Sequence, residues 1–393
     1  MDALVVRPGH IAGDAYSGSE AQDGAPDQDV HGANVLGRWN HAWQDGSSLQ
    51  IQGYYDHTYR ATEQGGGNFT LDTYDFDAQD SLTLWRINQI VWGGGVRVSD
   101  YGINGTASLL FEPSRRTLTL SDVFAQDSIA QARSLKLIVG LKLEDDPYSG
   151  VSALPNVRLS WKPMEKALLW ASASRAIRSP TPFDEDVVEK VGSEVFLTGN
   201  RDFEPEKVTD YEIGARAQLF PRASFSITSF YSVYDDLRSV EPAPAGFIPL
   251  DWGNLLKGST YCVEAWGDYQ LTRWWRLTAS YNWLSEHFRF KPGASGLLGV
   301  QQLGDDPAHQ ASLRSSMNIG RAITLDANLR YVGQLPAPYV PSFVELNGRI
   351  GWKVTERATL SLSGFNLLHE RHLEFPGADA VPRSVIAGLQ WRY

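Results

Sequence analysis

The sequence predicts an all-β fold, an antiparallel transmembrane β-barrel, on the basis of three observations. Apolar and polar residues alternate with a period of two over many segments. Short turns and long loops follow one another between these segments. Aromatic residues make up 11% of the chain and include 13 Trp, yet the sequence contains no run of 18 apolar residues, the length that a membrane-spanning helix would need.

One segment near the C-terminus shows the alternation most clearly. In residues 322–331, apolar and polar side chains occupy alternate positions. The apolar set is Ile323, Leu325, Ala327, Leu329 and Tyr331, and the polar set is Thr324, Asp326, Asn328 and Arg330. Residues 135–144, 209–219 and 277–283 repeat the pattern. Alternation indicates strands with one apolar face, but a soluble β-sandwich alternates in the same way.

The connections between the predicted strands distinguish a barrel from a sandwich. Short turns such as residues 220–222 and 320–321 alternate with long connections. The long connections include residues 177–205, 237–255, 287–308 and 369–381. We count about seventeen strands of about 11–15 residues, near or above the length that a tilted strand needs to cross a bilayer. Short turns at one edge and long loops at the other are typical of outer-membrane barrels, whereas a propeller would show a repeat of about 40–45 residues.

Composition and charge exclude several classes of protein. The net charge of -11 and the pI near 5.2 argue against nucleic acid as a partner, because no basic patch dominates. The single cysteine, Cys262, excludes an internal disulfide and a cysteine-based zinc site. Residues 1–10 lack the basic and apolar regions of a signal peptide. Residues 1–32 are rich in Gly, Asp, Ala and Ser and predict a loop or disordered arm, followed by the barrel over residues 33–393.

Four segments resemble the C-terminal barrel of TonB-dependent receptors, the outer-membrane transporters of Gram-negative bacteria. NRDFEPEKVTDYEIG (residues 200–214) is similar to a family segment that usually has Leu where this chain has Phe203. The other three, in family order, are FAQD (124–127) with the alternating residues 135–143, LWASASRAIRSP (169–180) and LSLSGFNLL (360–368). The resemblance covers roughly residues 120–393.

The resemblance implies an outer-membrane receptor that takes up a scarce, bulky ligand, most commonly a ferric siderophore. In this family TonB drives uptake through a plug domain held inside a barrel of about 22 strands. About seventeen strands without a plug predict an incomplete barrel, the distal part of a receptor. The first predicted strand, near residues 33–44, would run toward the periplasm and leave residues 1–32 in an extracellular loop. The implied partners are outer-membrane lipid, the barrel assembly machinery, TonB and the ferric siderophore; no cofactor is implied.

The C-terminal strand carries a candidate signal for membrane insertion. A terminal aromatic residue, preceded by apolar residues at every second position, resembles the signal that the barrel assembly machinery reads. The residues concerned are Tyr393, Trp391, Leu389, Ala387 and Val385.

Two further sets are candidate functional residues. Polar residues on the strands would line the lumen, where they would meet the plug or the substrate path, or simply be hydrated. They are Glu212, Arg216, Glu264, Asp326, Arg330, Glu345 and Arg349. In the extracellular loops, Phe247 and Trp252 are candidate ligand contacts. Acidic runs such as residues 184–186 lie at the predicted long-loop edge. They would form either an acidic outer rim that meets a ligand or solvated ends of the strands.

Catalysis is not expected, and no catalytic or metal-binding residues are predicted. Residues 369–372 (HERH) lack the H-E-x-x-H spacing and follow a strand instead of lying on a helix. Cys262 falls on the polar face of a predicted strand, as a space-filling residue. Two alternatives stay open. One is a passive porin-like barrel, and the other is a soluble Trp-rich β protein that binds glycans or hydrolyses them with paired carboxylates.

Overall fold

The computed structural model describes residues 10–20, 28–62, 67–85, 87–243, 246–304 and 306–392. Within these ranges the chain forms 23 strands, one short α-helix and one 3-10 helix, which confirms the predicted all-β class. No helix in the described ranges is long and apolar enough to cross a membrane.

The elements of the first half are β1 (His10–Glu20), β2 (Gln28–Ala42), β3 (Ser48–Thr62), β4 (Asn68–Leu84), β5 (Asn88–Asn104), β6 (Leu109–Phe111), β7 (Arg115–Ala132), β8 (Leu135–Asp146), β9 (Gly150–Met164), β10 (Ala167–Arg178), α1 (Pro182–Glu185), β11 (Val187–Val191) and β12 (Glu194–Thr198). Those of the second half are β13 (Glu206–Phe220), β14 (Ala223–Pro242), β15 (Leu250–Thr272), β16 (Trp275–Phe290), the 3-10 helix (Val300–Leu303), β17 (His309–Ile319), β18 (Ile323–Val332), β19 (Phe343–Lys353), β20 (Ala358–Phe365), β21 (Arg371–His372), β22 (Val381–Pro382) and β23 (Ser384–Trp391).

Apart from the short strands β6, β11, β12, β21 and β22, the remaining eighteen strands form one antiparallel sheet in which chain neighbours pair. Connections at one edge are short, for example residues 221–222 and 273–274, and we call it the short-turn edge. The opposite, long-loop edge carries longer connections such as residues 179–205 and 291–308. Among the described residues β1 pairs only with β2 and β23 only with β20, so the barrel is not closed.

Part of the expected N-terminal arm is strand, and the prediction is wrong there. Residues 10–20 form β1 and residues 28–32 begin β2, although residues 1–32 were expected to form a loop at the extracellular side. Residues 1–9 and 21–27 lie outside the described residues. The sheet therefore has eighteen long strands, one more than the expected number of about seventeen.

The composition of β1 explains why its strand pattern is weak in the sequence. Gly, Ala and Ser replace the bulky apolar residues of other strands, while the backbone pairs with β2 over its whole length. The ring of Tyr16 covers Gly32, where an added Cβ would come within 2.7 Å of the ring. Backbone pairing and one aromatic–glycine contact thus hold a strand that hydrophobic alternation does not reveal.

One face of the sheet is apolar and exposed. On β13, Tyr211 and Ile213 are 50% and 65% exposed. Ile213 lies opposite Ala171 on β10, and Tyr211 lies opposite Tyr231 on β14, so the apolar face continues across strands. Exposed members on other strands include Val139, Leu141, Val157, Leu159, Ile227, Leu313, Leu329, Ile350, Leu362 and Leu389. An apolar surface of this extent is rare on soluble monomers.

The other face of the sheet is polar and holds cross-strand hydrogen bonds and ion pairs. Arg97 on β5 contacts Asp75 on β4 at 2.9 Å, and Arg276 on β16 contacts Asp268 on β15 at 2.6 Å. Few hydrophobic side chains in the described part of the chain are buried. The fold therefore depends on strand pairing more than on a central protein core.

A close ring–backbone contact on the polar face gives a test of this packing. Gly214 lies opposite Trp170, and an added Cβ would come within 2.1 Å of the indole ring. We expect Gly214→Val to lower the free energy of unfolding by about 1–3 kcal/mol, because the indole cannot keep its place. Urea unfolding followed by tryptophan fluorescence measures this. Gly37→Val is the control, since nothing lies within 4 Å of a Cβ there, and equal losses for both variants would contradict the packing.

Candidate functional site

Segments between the long strands pack together at the long-loop edge. β11 pairs with β6, and β12 pairs in parallel with the start of β15. We call β6, α1, β11, β12 and the adjoining ends of β14 and β15 the cap. A small buried core holds the cap together, made of Val187, Leu197, Val240 and Leu250.

The cap corrects the expectation that residues 177–205 and 237–255 are loops. The first range contains α1, β11 and β12, and the second contains the ends of β14 and β15. These strands pair with partners distant in sequence, as Val187 does with Phe111, so their environment is not visible in local alternation. Gly199 allows α1 to approach, because a Cβ there would lie 2.3 Å from the carbonyl carbon of Glu185.

Three consecutive acids at α1 are buried beneath arginines. Asp184, Glu185 and Asp186 are each less than 10% exposed, so they form neither an open acidic rim nor solvated strand ends. Asp184 accepts hydrogen bonds from Arg178 of β10 at 2.9 Å and from Arg238 of β14 at 3.1 Å. The cap is therefore tied to two separate strands of the sheet by one carboxylate.

A third arginine completes the network. The Arg116 guanidinium of β7 donates to both carboxylate oxygens of Asp186, at 3.0 and 2.8 Å. Tyr101 donates its hydroxyl to the same carboxylate at 3.1 Å. Hydrogen bonds from charged donors are stronger than neutral ones, which compensates the cost of burying the carboxylates.

The two acids of α1 differ in their protonation. Burial alone would raise the pKa of Asp184, but hydrogen bonds from Arg178 and Thr181 hold that pKa below its ordinary value. Burial raises the pKa of Glu185 to about 7; the nearby Arg116 opposes the shift, and the charges of Asp186 and Asp146 add to it. The Oε1 atom of Glu185 has no hydrogen-bond partner among the described residues. Ionisation of Glu185 near neutral pH would thus destabilise the cap.

Aromatic rings surround the arginines. Arg238 lies over the Trp252 ring at 4.6 Å and the Phe183 ring at 5.9 Å. Arg116 lies over the Tyr148 ring at 4.9 Å. We call Arg116, Arg178 and Arg238, with these rings, the arginine cluster.

The arginine side chains stay accessible although their carboxylate partners are sealed. Arg116 is 34% exposed and Arg178 and Arg238 are each 39% exposed, while the Asp184 and Asp186 side chains are 0% exposed. A planar guanidinium offers five N–H donors, more than these carboxylates use. The cluster can therefore donate hydrogen bonds and present ring faces to an anionic, aromatic group.

Of the two predicted aromatic contacts, one belongs to this cluster. Trp252 packs against the cap core and donates its indole N–H to the carbonyl oxygen of Phe183 at 3.0 Å. Phe247 lies in the connection between β14 and β15, 64% exposed and outside that core. A ligand role for either residue stays a prediction.

The predicted lumen residues all lie on the polar face. Glu212 accepts from the Trp170 indole at 2.5 Å, and Asp326 accepts from Ser316 at 2.8 Å. The remaining contacts are Arg216 over the Trp266 ring at 5.3 Å, Glu264 with Asn282 at 3.2 Å, Arg330 with Glu345 at 2.8 Å, and Arg349 opposite Asp326 in register. Of these charged residues only Arg330 and Glu345 form an ion pair with each other, and a role in a substrate path stays a prediction.

The C-terminal candidate residues lie on the apolar face of β23. Val385, Leu389 and Trp391 are 62%, 66% and 61% exposed, and Ala387 lies on the same face opposite Leu362. Tyr393 lies outside the described residues. Reading by the assembly machinery stays a prediction.

A second polar cluster lines a cavity of about 370 Å³ between three connections of the long-loop edge. Arg330 and Glu374 line it together with Phe343. His372 of the HERH segment stacks on Phe343 at 4.1 Å, and its Nε2 lies 3.0 Å from Glu374. In the described part of the chain no group of three or more His, Cys, Asp or Glu side chains is arranged to hold a metal ion.

The sequence pattern alone does not indicate the arginines of the cluster as functional residues. Arg178 precedes the acidic run by only six residues, which is a visible signal. Arg116 is 70 residues from Asp186, and Arg238 is 54 residues from Asp184. Pairings over such separations follow from the sheet order and not from spacing.

The raised pKa of Glu185 predicts that the stability of the closed cap depends on pH. When the cap opens, the Glu185 pKa returns toward 4.5. The stabilisation is therefore complete below about pH 4.5 and is lost as pH rises to about 7, so the opening equilibrium should increase about tenfold per pH unit in that window. Hydrogen exchange of amides in β11 and β12 measures it, corrected for the intrinsic pH dependence of exchange.

Two variants separate Glu185 from its surroundings. Glu185→Gln should remove most of the pH dependence, because the side chain no longer titrates. Glu194→Gln changes an exposed acid at the start of β12, in the same cap, and should leave the dependence intact. A pH dependence that persists in Glu185→Gln would contradict the assignment.

Comparison with known proteins agrees with this architecture. A family profile described as "TonB dependent receptor-like, beta-barrel" matches residues 4–367. No curated protein sequence matches the chain. Among solved structures, a mutant of the ferric enterobactin receptor PfeA of Pseudomonas aeruginosa has a TM-score of 0.74 and 14% sequence identity, over 93% of this chain and 62% of that chain.

Two other solved structures are similar to the same extent. The siderophore receptor PirA of Acinetobacter baumannii has a TM-score of 0.75 at 14% identity, over 93% of this chain and 62% of that chain. The ferric-catecholate import receptor Fiu of E. coli has a TM-score of 0.72 at 13% identity, over 94% and 65%. The chain thus spans less than two thirds of the length of these receptors, with which it shares the fold. Because the family profile covers most of its length, the chain belongs to the TonB-dependent receptor-like β-barrel family.

Proposed function

We propose that the chain forms the barrel wall and cap of an outer-membrane receptor that captures a bulky, anionic ferric siderophore. The observation that carries the proposal is the arginine cluster at the long-loop edge. Three accessible guanidinium groups, fixed by buried carboxylates and flanked by aromatic rings, complement anionic aromatic chelating groups. The structural neighbours are named as receptors for ferric enterobactin, a siderophore and ferric catecholates, which is the same ligand chemistry.

The exposed apolar face supports a position in a lipid bilayer. Near the long-loop edge, Tyr211, Tyr231 and Tyr261 stack across three strands, with centroids 6.4 and 4.6 Å apart. Phe220 marks the other end of β13 and is 65% exposed. The nine-residue separation of Tyr211 and Phe220 corresponds to about 30 Å along a strand, or about 23 Å of height at a tilt of about 40°. That height matches the apolar band of an outer-membrane barrel, about 25 Å.

Membership of the family indicates how the barrel would be oriented in the membrane and what would supply the energy for uptake. TonB-dependent receptors are outer-membrane proteins, so the long-loop edge would face the cell exterior and the short-turn edge the periplasm. TonB would drive uptake in the complete receptor, and the barrel assembly machinery would insert the strands. Neither catalysis nor a cofactor is needed for this activity.

A charge scan across one strand tests the membrane position. Ile227 points to the apolar face of β14, and its neighbour Thr228 points to the polar face opposite Glu264. We expect Ile227→Arg to cost about 2–4 kcal/mol in phosphatidylcholine vesicles, because the charge enters the hydrocarbon region. Thr228→Arg is the matched control and should cost much less. Urea unfolding of the protein in vesicles measures both, and equal costs would contradict a lipid-facing side.

Ligand titration tests the proposed substrate class. In detergent, the chain should bind ferric enterobactin, and Arg238→Gln should weaken binding about tenfold or more through the loss of a charged donor. Arg276→Gln changes an arginine at the short-turn edge and is the control. Tryptophan fluorescence quenching measures the dissociation constants. No binding of ferric enterobactin, or equal weakening by both variants, would contradict the proposal.

A further inference from the structure

Two cations face each other on the apolar side of the sheet, just beyond its aromatic row. Lys257 of β15 lies directly opposite Arg289 of β16 in the register. Both share a face with Tyr261, because the pairing of β15 and β16 is continuous from Leu256 to Gln270. Like charges placed directly opposite each other on a strand pair are destabilising. The arrangement therefore favours an anion between them.

The carboxylates of the adjacent strand are already occupied. Asp236 of β14 contacts Lys207 at 2.5 Å and also contacts Lys291, and Asp235 contacts Lys291 at 2.7 Å. In the part of the chain that the structure describes, Lys257 and Arg289 take part in no ion pair within 4.0 Å. Their charges are thus available to a ligand.

The side chains below this pair become progressively less polar. His287 lies opposite Ser259 and is exposed, with its ring edge-on to Tyr261 at 6.0 Å. Further along the same face, toward the middle of the strands, Tyr261 lies opposite Ser285, and then Val263 lies opposite Trp283. Polarity along this face follows the order found in a lipid, from the headgroup to the acyl chain. The cations come first, followed by the imidazole and hydroxyl groups, then tyrosine, and finally apolar side chains.

We propose that Lys257, Arg289 and His287 form a site for the phosphate group of a lipid in the extracellular leaflet, with the acyl chains on the apolar face below Tyr261. The site rests on the proposed membrane position of the barrel. Arg289 donates to phosphate oxygens in a fork, Lys257 adds a point charge, and His287 with Ser259 adds further donors. The occupant is a lipid and not free phosphate, because the cation pair continues directly into the lipid-facing surface.

Binding of a fluorescent phosphatidic acid to the full chain in dodecyl maltoside micelles tests the site by anisotropy. Juxtamembrane cations contribute about 1 kcal/mol each, so Lys257→Gln with Arg289→Gln should weaken binding about fivefold per cation removed. Lys257→Arg should retain binding. The control, Arg222→Gln with Arg273→Gln, removes two cations from the short-turn edge, one in the β13–β14 turn and one in the β15–β16 turn, and should change little.

Several outcomes would overturn the site. Equal weakening in both double variants would reduce the effect to net charge. Equal binding of a labelled phosphatidylcholine would remove the phosphate preference, and displacement of the lipid by inorganic phosphate at the same concentration would identify a free-anion site. Heat-dependent gel mobility confirms that each variant is folded. A chain that inserts into vesicles without lipid preference contradicts only this site, whereas a chain that fails the charge scan contradicts the membrane position itself.

Discussion

A continuous ladder of antiparallel strands, with an apolar face that no other described part of the chain covers, is the constraint on which the rest of the structure depends. Side chains such as Ile213 are more than half exposed, and the few buried hydrophobic residues cannot replace a central core. An apolar medium outside the sheet resolves this imbalance. In lipid every unpaired backbone polar group costs several kcal/mol, so the strand pairing and the apolar face require each other.

The cap depends on a second constraint, the pairing of buried charges. Arginines from β7, β10 and β14 converge on α1, so one short helix connects strands that are not neighbours in the sheet. Removing an arginine would leave a buried carboxylate without its charged partner, which destabilises a fold. The same pairing fixes the outward sides of the guanidinium groups. The stability of the cap and the proposed binding of an anion thus depend on the same residues.

The sequence was sufficient to predict the parts of the fold that depend on local alternation. Residues 322–331 were expected to be a strand and form β18 with the same division of faces. The sequence does not predict the strand β1, because Gly, Ala and Ser carry little hydrophobic signal and composition does not show backbone pairing. Four local motifs indicated the family, which the profile over residues 4–367 confirms.

The candidate site was only partly predictable for a related reason. The residue type of Trp252 and its place in a long connection predict a ligand contact, and its ring does lie against the Arg238 guanidinium. The acidic run 184–186 was visible, but its burial was not, since Arg116 and Arg238 reach it from distant strands. Local sequence shows which charges exist, whereas the sheet order decides which of them meet.

The most direct test of the two-faced sheet is a spin-label scan along β18. Cys262 is first replaced by Ser, and single labels are then placed at each position from Thr324 to Leu329 in the protein reconstituted in lipid vesicles. Accessibility to oxygen, which dissolves in lipid, should peak at positions 325, 327 and 329, and accessibility to a water-soluble nickel chelate should peak at the positions between them. Equal access of the nickel chelate to both sets would show that both faces meet water and would contradict the account.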